Sequence, residues 1–180
     1  MGEQEIIYGN CNEAITLSSA NSMEISLEQV HKGKAGLNKH REAILARVPD
    51  AGNWAFFSKG SISMKDIAFL TAKTGDEFAI LAGKKEDILF HGVRNHCIFT
   101  DELSNLLIKG QYKIYGHSHP GERFPVASQD DRKTLKLIGQ KKSRLVSAVT
   151  GREIEFTDNA FNNLQSESLE EGSAFGDVNS

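Results

Sequence analysis

Tyr112-Lys113-Ile114-Tyr115-Gly116-His117-Ser118-His119-Pro120-Gly121 reads as a strand that ends in a turn. Its aromatic and β-branched residues favour extended backbone up to Gly116, and the chain runs straight on into His117. Pro120 and Gly121 then turn it out of the strand. Ser128-Gln129-Asp130-Asp131 opens a predicted helix over 128–138, with Ser128 at the N-cap and Asp131 three residues in. Side chains alternate along a strand, so His117 and His119 point to the same side and can meet one ion. A carboxylate arriving from the helix start would complete a three-ligand set. The fourth tetrahedral position would then stay open for water, as a catalytic zinc requires. Such an ion draws the pKa of its water from ~15.7 towards ~7. Taken alone, a His-x-His pair is a weak signal, and Ser128 with Asp131 is explained as a helix cap. The two together, within one short stretch, point to a metal site.

Working outward, Ser63 with Asp66 marks a capped helix start, with Met64, Ile67, Ala68 and Thr71 on one face and Gly75 as its stop. Residues 77–82 read as a strand, 83–86 as a turn, and 87–91 as the returning strand. Residues 100–108 form a predicted helix with Leu103, Leu106 and Leu107 inward and Gly110 closing it. Two further strands are expected over 145–149 and 153–156. Upstream, 26–48 has helical spacing interrupted by Gly33 and Gly36, which predicts two helical pieces or one broken one. Pro49-Asp50-Ala51-Gly52 ends it, and residues 54–57 read as a buried strand or a packing anchor. Ile6-Ile7-Tyr8 is a candidate short strand. Strands mixed with helices, several of them as hairpins, predict an α/β (α+β) layer rather than a doubly wound parallel sheet. The chain divides into an N-terminal extension, 1–59, a principal domain, 60–157, and a polar tail, 158–180, whose composition predicts disorder.

Composition excludes several classes. With 21 Lys+Arg against 24 Asp+Glu in 180 residues, no basic excess marks a nucleic-acid binder. The locally basic run of Lys32, Lys34, Lys39, His40 and Arg41 reads as a solvated helix face. No stretch approaches the ~20 apolar residues of a membrane span, and the acidic N-terminus lacks the features of a secretory signal. Cys11 and Cys97 form no spaced framework and read as free thiols in a reducing compartment, so a cytoplasmic location is expected.

These motifs resemble the JAMM (JAB/MPN) metalloprotease family, whose pattern is a Glu on an early strand, then His-x-His-Pro, then Ser-x-x-Asp. A predicted helix precedes Glu77-Phe78-Ala79-Ile80-Leu81-Ala82-Gly83, which is similar to the family's Glu-bearing strand. Arg144-Leu145-Val146-Ser147-Ala148-Val149-Thr150-Gly151-Arg152 resembles the strand and turn after its metal-ligand helix. The likeness covers about residues 60 to 157. It implies a JAMM/MPN-like mixed β-sheet flanked by helices, with cytidine-deaminase-like layering, and one Zn2+ per chain held by His117, His119 and Asp131. Glu77 would be the general base that passes a proton from the attacking water to the leaving amine, and Ser128 would hydrogen-bond the oxyanion. The reaction implied is hydrolysis of a peptide or isopeptide bond, with a protein or peptide partner, ubiquitin-like conjugates among them. One departure stands out: eight residues, Pro120 through Ala127, separate His119 from Ser128, one more than the family's usual spacing. Strict spacing would select Ala127 and Asp130. Keeping the helical relation selects Ser128 and Asp131, because a loop absorbs an extra residue more easily than a helix turn does. Asp130 stays an alternative ligand.

The short segment between Glu77 and His117 leaves little room for large insertions and suggests a compact bacterial or phage-type member. The competing reading is a catalytically silent binding module on the same fold. A zinc deaminase would show a Pro-Cys-x-x-Cys pair, which is absent. Glu86, Glu102 and Glu122 read as solvated, His91 and His96 as core or surface residues, and nothing in its spacing favours Cys97 as a ligand. His31 and His40 carry no motif.

Overall fold

A computed structural model describes residues 25–159. The elements in chain order are α1 (Leu27–His31), α2 (Lys39–Arg47), β1 (Trp54–Ser58), α3 (Met64–Thr74), β2 (Phe78–Ala82) and β3 (Glu86–His91). There follow α4 (Asp101–Ile108), β4 (Lys113–His119), α5 (Gln129–Ile138), β5 (Lys142–Ser147) and β6 (Glu153–Thr157). The strands form one sheet in the order β1-β3-β2-β4-β5-β6. All neighbours are antiparallel except β4 and β5, which are parallel and joined through α5. The expected α+β class with a mixed, helix-flanked sheet is the architecture observed. Among the described residues no helix is long and apolar enough to cross a membrane.

Local chemistry sets the helix ends. Ser26, Asn38, Ser63, Thr100 and Ser128 each accept a backbone N–H from the first turn of the helix they precede. Gly75 closes α3 at φ 79°, a left-handed conformation that residues with a Cβ rarely adopt.

Two cores lie on opposite faces of the sheet. Phe78, Ile80, Leu89 and Val146 point towards α3 and, beyond it, α1 and α2. Ala79, Leu81, Phe90, Leu145 and Phe156 point towards α4 and α5. Helix α3 was expected to bury one face. It is buried nearly all round, because Val30, Ile44 and Val48 from the preceding helices cover its outer side. Arg41 fixes that contact, with its guanidinium 4.0 Å over the Phe69 ring and its Nε 3.0 Å from Asp66 Oδ1. Residues 25–59 therefore share a core with α3 and the sheet, and the division drawn at residue 60 falls inside one folded unit.

Other expectations need correction. The 54–57 segment is an edge strand paired only with β3 and is not buried, with Phe56 41% exposed, but it does anchor packing: Ala55 and Phe57 lie against one core and Trp54 against the other. Strand β5 begins and ends earlier than 145–149. The Ser147 hydroxyl accepts the N–H groups of Val149 and Thr150 and curls the chain out of the sheet there. The candidate strand at residues 6–8, Cys11 and the tail lie outside the described residues.

The β2–β4 register contains a shift. Ile80 pairs with Gly116 but Leu81 pairs with Ile114, so Tyr115 is an extra residue in β4. The bulge brings Ile114 onto the same face as His117, into the α4–α5 core.

Candidate metal centre

The carboxyl of Glu77 is placed by backbone contacts on both sides of it. Its N–H donates to Val93 O at 3.0 Å, and its carbonyl accepts from Gly92 N at 2.7 Å. Gly92 has no room for a side chain: a Cβ there would lie 2.6 Å from His96 O and 3.1 Å from Glu77 O. One residue on, Phe78 is clasped by Ser118. Phe78 N donates to Ser118 Oγ at 3.0 Å, and the same hydroxyl donates to Phe78 O at 3.3 Å. Thr71 Oγ1, 2.6 Å from Ser118 Oγ, completes the buried chain of hydroxyls. Ser118 thus points towards α3 and locks β2 to β4, while its neighbours His117 and His119 point the other way. Since Ala79 pairs with His117, Glu77 stands at the level of His119.

The nitrogens and carboxyl oxygens converge. His117 Nε2 and His119 Nε2 are 3.2 Å apart. Asp131 Oδ1 is 3.1 Å from His117 Nε2, and Asp131 Oδ2 is 3.4 Å from His119 Nε2. Glu77 Oε1 lies 3.7 Å from His119 Nε2. Glu77, His117 and His119 are all buried and can place one donor atom each within 4.8 Å of one another, a group able to hold a metal ion. Bonds of ~2.0–2.1 Å at tetrahedral angles put ligand atoms roughly 3.3 Å apart, the size of the separations between the two imidazole nitrogens, between His117 and Asp131 Oδ1, and between His119 and Asp131 Oδ2.

Asp131 does two things at once. Its Oδ2 accepts Ser128 N at 2.7 Å and its own N–H donates to Ser128 Oγ at 3.1 Å, a reciprocal capping box that orients the carboxyl towards the imidazoles. Asp130 is exposed, and its carbonyl takes the Thr134 hydroxyl, so the helix start turns Asp131 and not Asp130 to the histidines. Ser128 Oγ, occupied as an acceptor, keeps its O–H to donate, and the residue borders a cavity beside the cluster.

Charge is concentrated here. Burial pushes the Glu77 carboxyl up to about 7, offset by the positive charge of His119. At His119 burial opposes the imidazolium, but the Asp131 hydrogen bond and the Glu77 and Glu122 carboxylates outweigh it and raise the pKa to about 9. Burial likewise opposes the Asp131 carboxylate, and hydrogen bonds from His117 and His119 nevertheless hold it well below the usual range.

Two contributors escaped the sequence reading. Glu122 was expected to face solvent. Its side chain is 47% exposed, yet Oε2 lies 3.2 Å from His119 Nδ1 and accepts Val126 N at 3.1 Å. Such a contact holds Nδ1 as the N–H and turns the Nε2 lone pair to the cluster. Cys97 hydrogen-bonds Glu77, and burial with the nearby carboxylates keeps its thiol protonated. Neither has a spacing signal in sequence; only the fold brings their loops to the site.

The other titratable residues lie elsewhere. His91 is a core residue, Nδ1 2.7 Å from Val48 O, Nε2 2.9 Å from Asp76 Oδ2, and its ring 4.3 Å from that of Phe78. His96 is exposed at the cavity rim. His31 binds Ala148 O and His40 approaches Asp66. Glu86 is partly buried and accepts the Tyr112 hydroxyl, while Glu102 is exposed. Comparison with protein-family models, with curated proteins and with solved structures returned no match.

Proposed function

We propose that the chain is a zinc-dependent hydrolase of peptide or isopeptide bonds, of the kind its motifs resemble in the JAMM family. The observation that carries the reading is the convergence of His117, His119 and Asp131 at 3.1–3.4 Å, with the Glu77 carboxyl beside them and outside that set. His117 Nε2, His119 Nε2 and Asp131 would hold the ion. When bound, zinc supplies Lewis acidity to a carbonyl and acidifies an adjoining water. Glu77, with a pKa of about 7, is poised to take a proton from that water and give it to a leaving amine. Ser128 directs its hydroxyl proton to an oxyanion. A protein or peptide substrate and a cytoplasmic setting belong to the same reading.

A second reading has its own observation. Glu77 falls with His117 and His119 in one compact donor group. If Glu77 joined Asp131 and the two imidazoles as a fourth ligand, the site would be closed, as structural zinc sites are, and the chain would be a silent binding module. Glu77→Gln separates the two. Under the hydrolase reading the variant keeps about one zinc per chain and loses peptide hydrolysis by two or more orders of magnitude. Loss of zinc from this variant, with an inert wild type, would establish the closed site.

A further inference from the structure

The cavity beside the cluster has a lining that the reaction alone does not require. It has a volume of about 520 Å³, within the range of small-molecule and peptide side-chain sites. Its floor is the α4–α5 face of the sheet, including Ala79, Ile114 and Phe156, and its walls are α4, α5 and the loop 95–99. It shares His117, Ser128 and Asp131 with the candidate metal centre, so whatever occupies it lies against the reacting groups.

Three large apolar side chains border this cavity while remaining open to water: Ile98 at 74%, Leu137 at 75% and Ile108 at 54% exposure. They come from three separate elements. Single exposed apolar residues need no explanation, but convergence of three on one concavity marks a binding surface. Away from the metal cluster, Asp130 and Lys133 are the charged residues on the wall, one of each sign. Nothing there favours a phosphate, a nucleotide or a strongly charged peptide.

We propose that this cavity is a specificity pocket for a large apolar side chain, leucine- or phenylalanine-sized, of a peptide segment whose scissile bond lies at the metal centre. The substrate is then an apolar peptide and not a glycine tail, which would leave Ile98, Ile108 and Leu137 in water. The word substrate rests on the hydrolase reading; the pocket's preference does not.

The test uses two fluorescein-labelled peptides, one with two adjacent leucines in a Ser/Gly background and one with those leucines replaced by glycine. Anisotropy reports binding to the zinc-loaded chain, and mass spectrometry reports cleavage in the same samples. The leucine peptide is expected to bind about tenfold tighter or better, the effect of burying a leucine-sized surface. The combined Ile98→Ser and Leu137→Ser variant, altered only at exposed positions, is expected to lose that preference while keeping its Tm and zinc content. Equal binding of the two peptides, binding of neither, or a variant that keeps the preference would overturn the pocket. The cleavage arm answers separately. A leucine preference in binding with no cleavage sinks the hydrolase reading and leaves the pocket standing. Cleavage of both peptides at one rate does the reverse.

Discussion

Glu122 Oε2 sits 3.2 Å from His119 Nδ1, on the side of the ring away from the other donors. A carboxylate in that place raises the basicity of Nε2 and fixes the ring's orientation. Glu122→Ala is therefore expected to weaken zinc binding by about 10–100-fold, and Glu122→Gln, which can still accept the Nδ1 proton, by less. Competition with a chromophoric chelator measures both. Affinity unchanged in the alanine variant would show that the contact does nothing for the metal.

Asp131 and Asp130 should part company. Asp131→Ala removes the only one of the two carboxyls that reaches the imidazoles and is expected to abolish stoichiometric zinc. It also lowers metal-free stability by about 1 kcal/mol or more, because it removes the acceptor of the Ser128 N–H, half of the capping box, and the carboxylate paired with His117 and His119. Asp130→Ala should keep its zinc and its melting temperature. Metal analysis of the two purified variants decides, and the opposite pattern would mean that the helix start is misassigned.

Stability without metal should fall as pH rises. Glu77 titrates near 4.5 unfolded and about 7 folded, so raising pH through that interval removes stability. His119 titrates near 6.5 unfolded and about 9 folded; its contribution is complete below 6.5 and lost as pH passes 9. Asp131, shifted the other way, stabilises above 3.8 and is lost only in acid. Together these give a loss on the order of a few kcal/mol between about pH 5 and about pH 9. On the proposed reading, zinc bound at His119 Nε2 displaces that proton, so its affinity should climb over the same interval. Melting curves with chelator and with zinc would then slope in opposite directions. A metal-free protein that gains stability towards pH 9 would contradict the charge arrangement described.

Two glycines near the cluster should differ in their tolerance of a methyl group. At Gly92 the added Cβ meets backbone, His96 O at 2.6 Å and Glu77 O at 3.1 Å. At Gly116 it meets Met64 Sδ and Cε, the end of a side chain that can swing aside, and Arg144 Cβ at 3.1 Å, which must give by a few tenths of an ångström. Gly92→Ala is expected to cost about 1–3 kcal/mol and to impair whatever Glu77 does, with Gly116→Ala at the low end of that range or below. Chemical denaturation gives the first quantity and the response of activity to Glu77→Gln in each background gives the second.

Much of this was legible in residue order. Ser63 with Asp66, Gly75, and Ser128 with Asp131 are short-range signals, where side chain and backbone lie three or four residues apart, and each stands where the pattern put it. That Asp131 and not Asp130 would approach the imidazoles was also local, since the helix turn fixes the relation of Asp131 to Ser128. What could not be read depends on distant segments. The sequence of α3 does not say that α1 and α2 will cover its outer side. A loop carboxylate such as Glu122 has no periodicity to announce its direction. Cys97 and Glu77 meet only because β2 and β3 form a hairpin whose exit strand leads back past the cluster.

Tyr115 makes the two ends of β4 run out of phase. Before it, odd and even positions alternate in one sense; after it, in the other. Deleting that single residue would put Ile114 two places before His117, the ordinary spacing along one face of a strand, so the apolar floor and the two histidines would keep their common side; pairing the full-length strand straight, with Tyr115 in the ladder, would instead turn Ile114 to the opposite face. The bulge thus uncouples length from facing at this point of the strand: one residue more is absorbed without moving the candidate metal centre to the other side of the sheet.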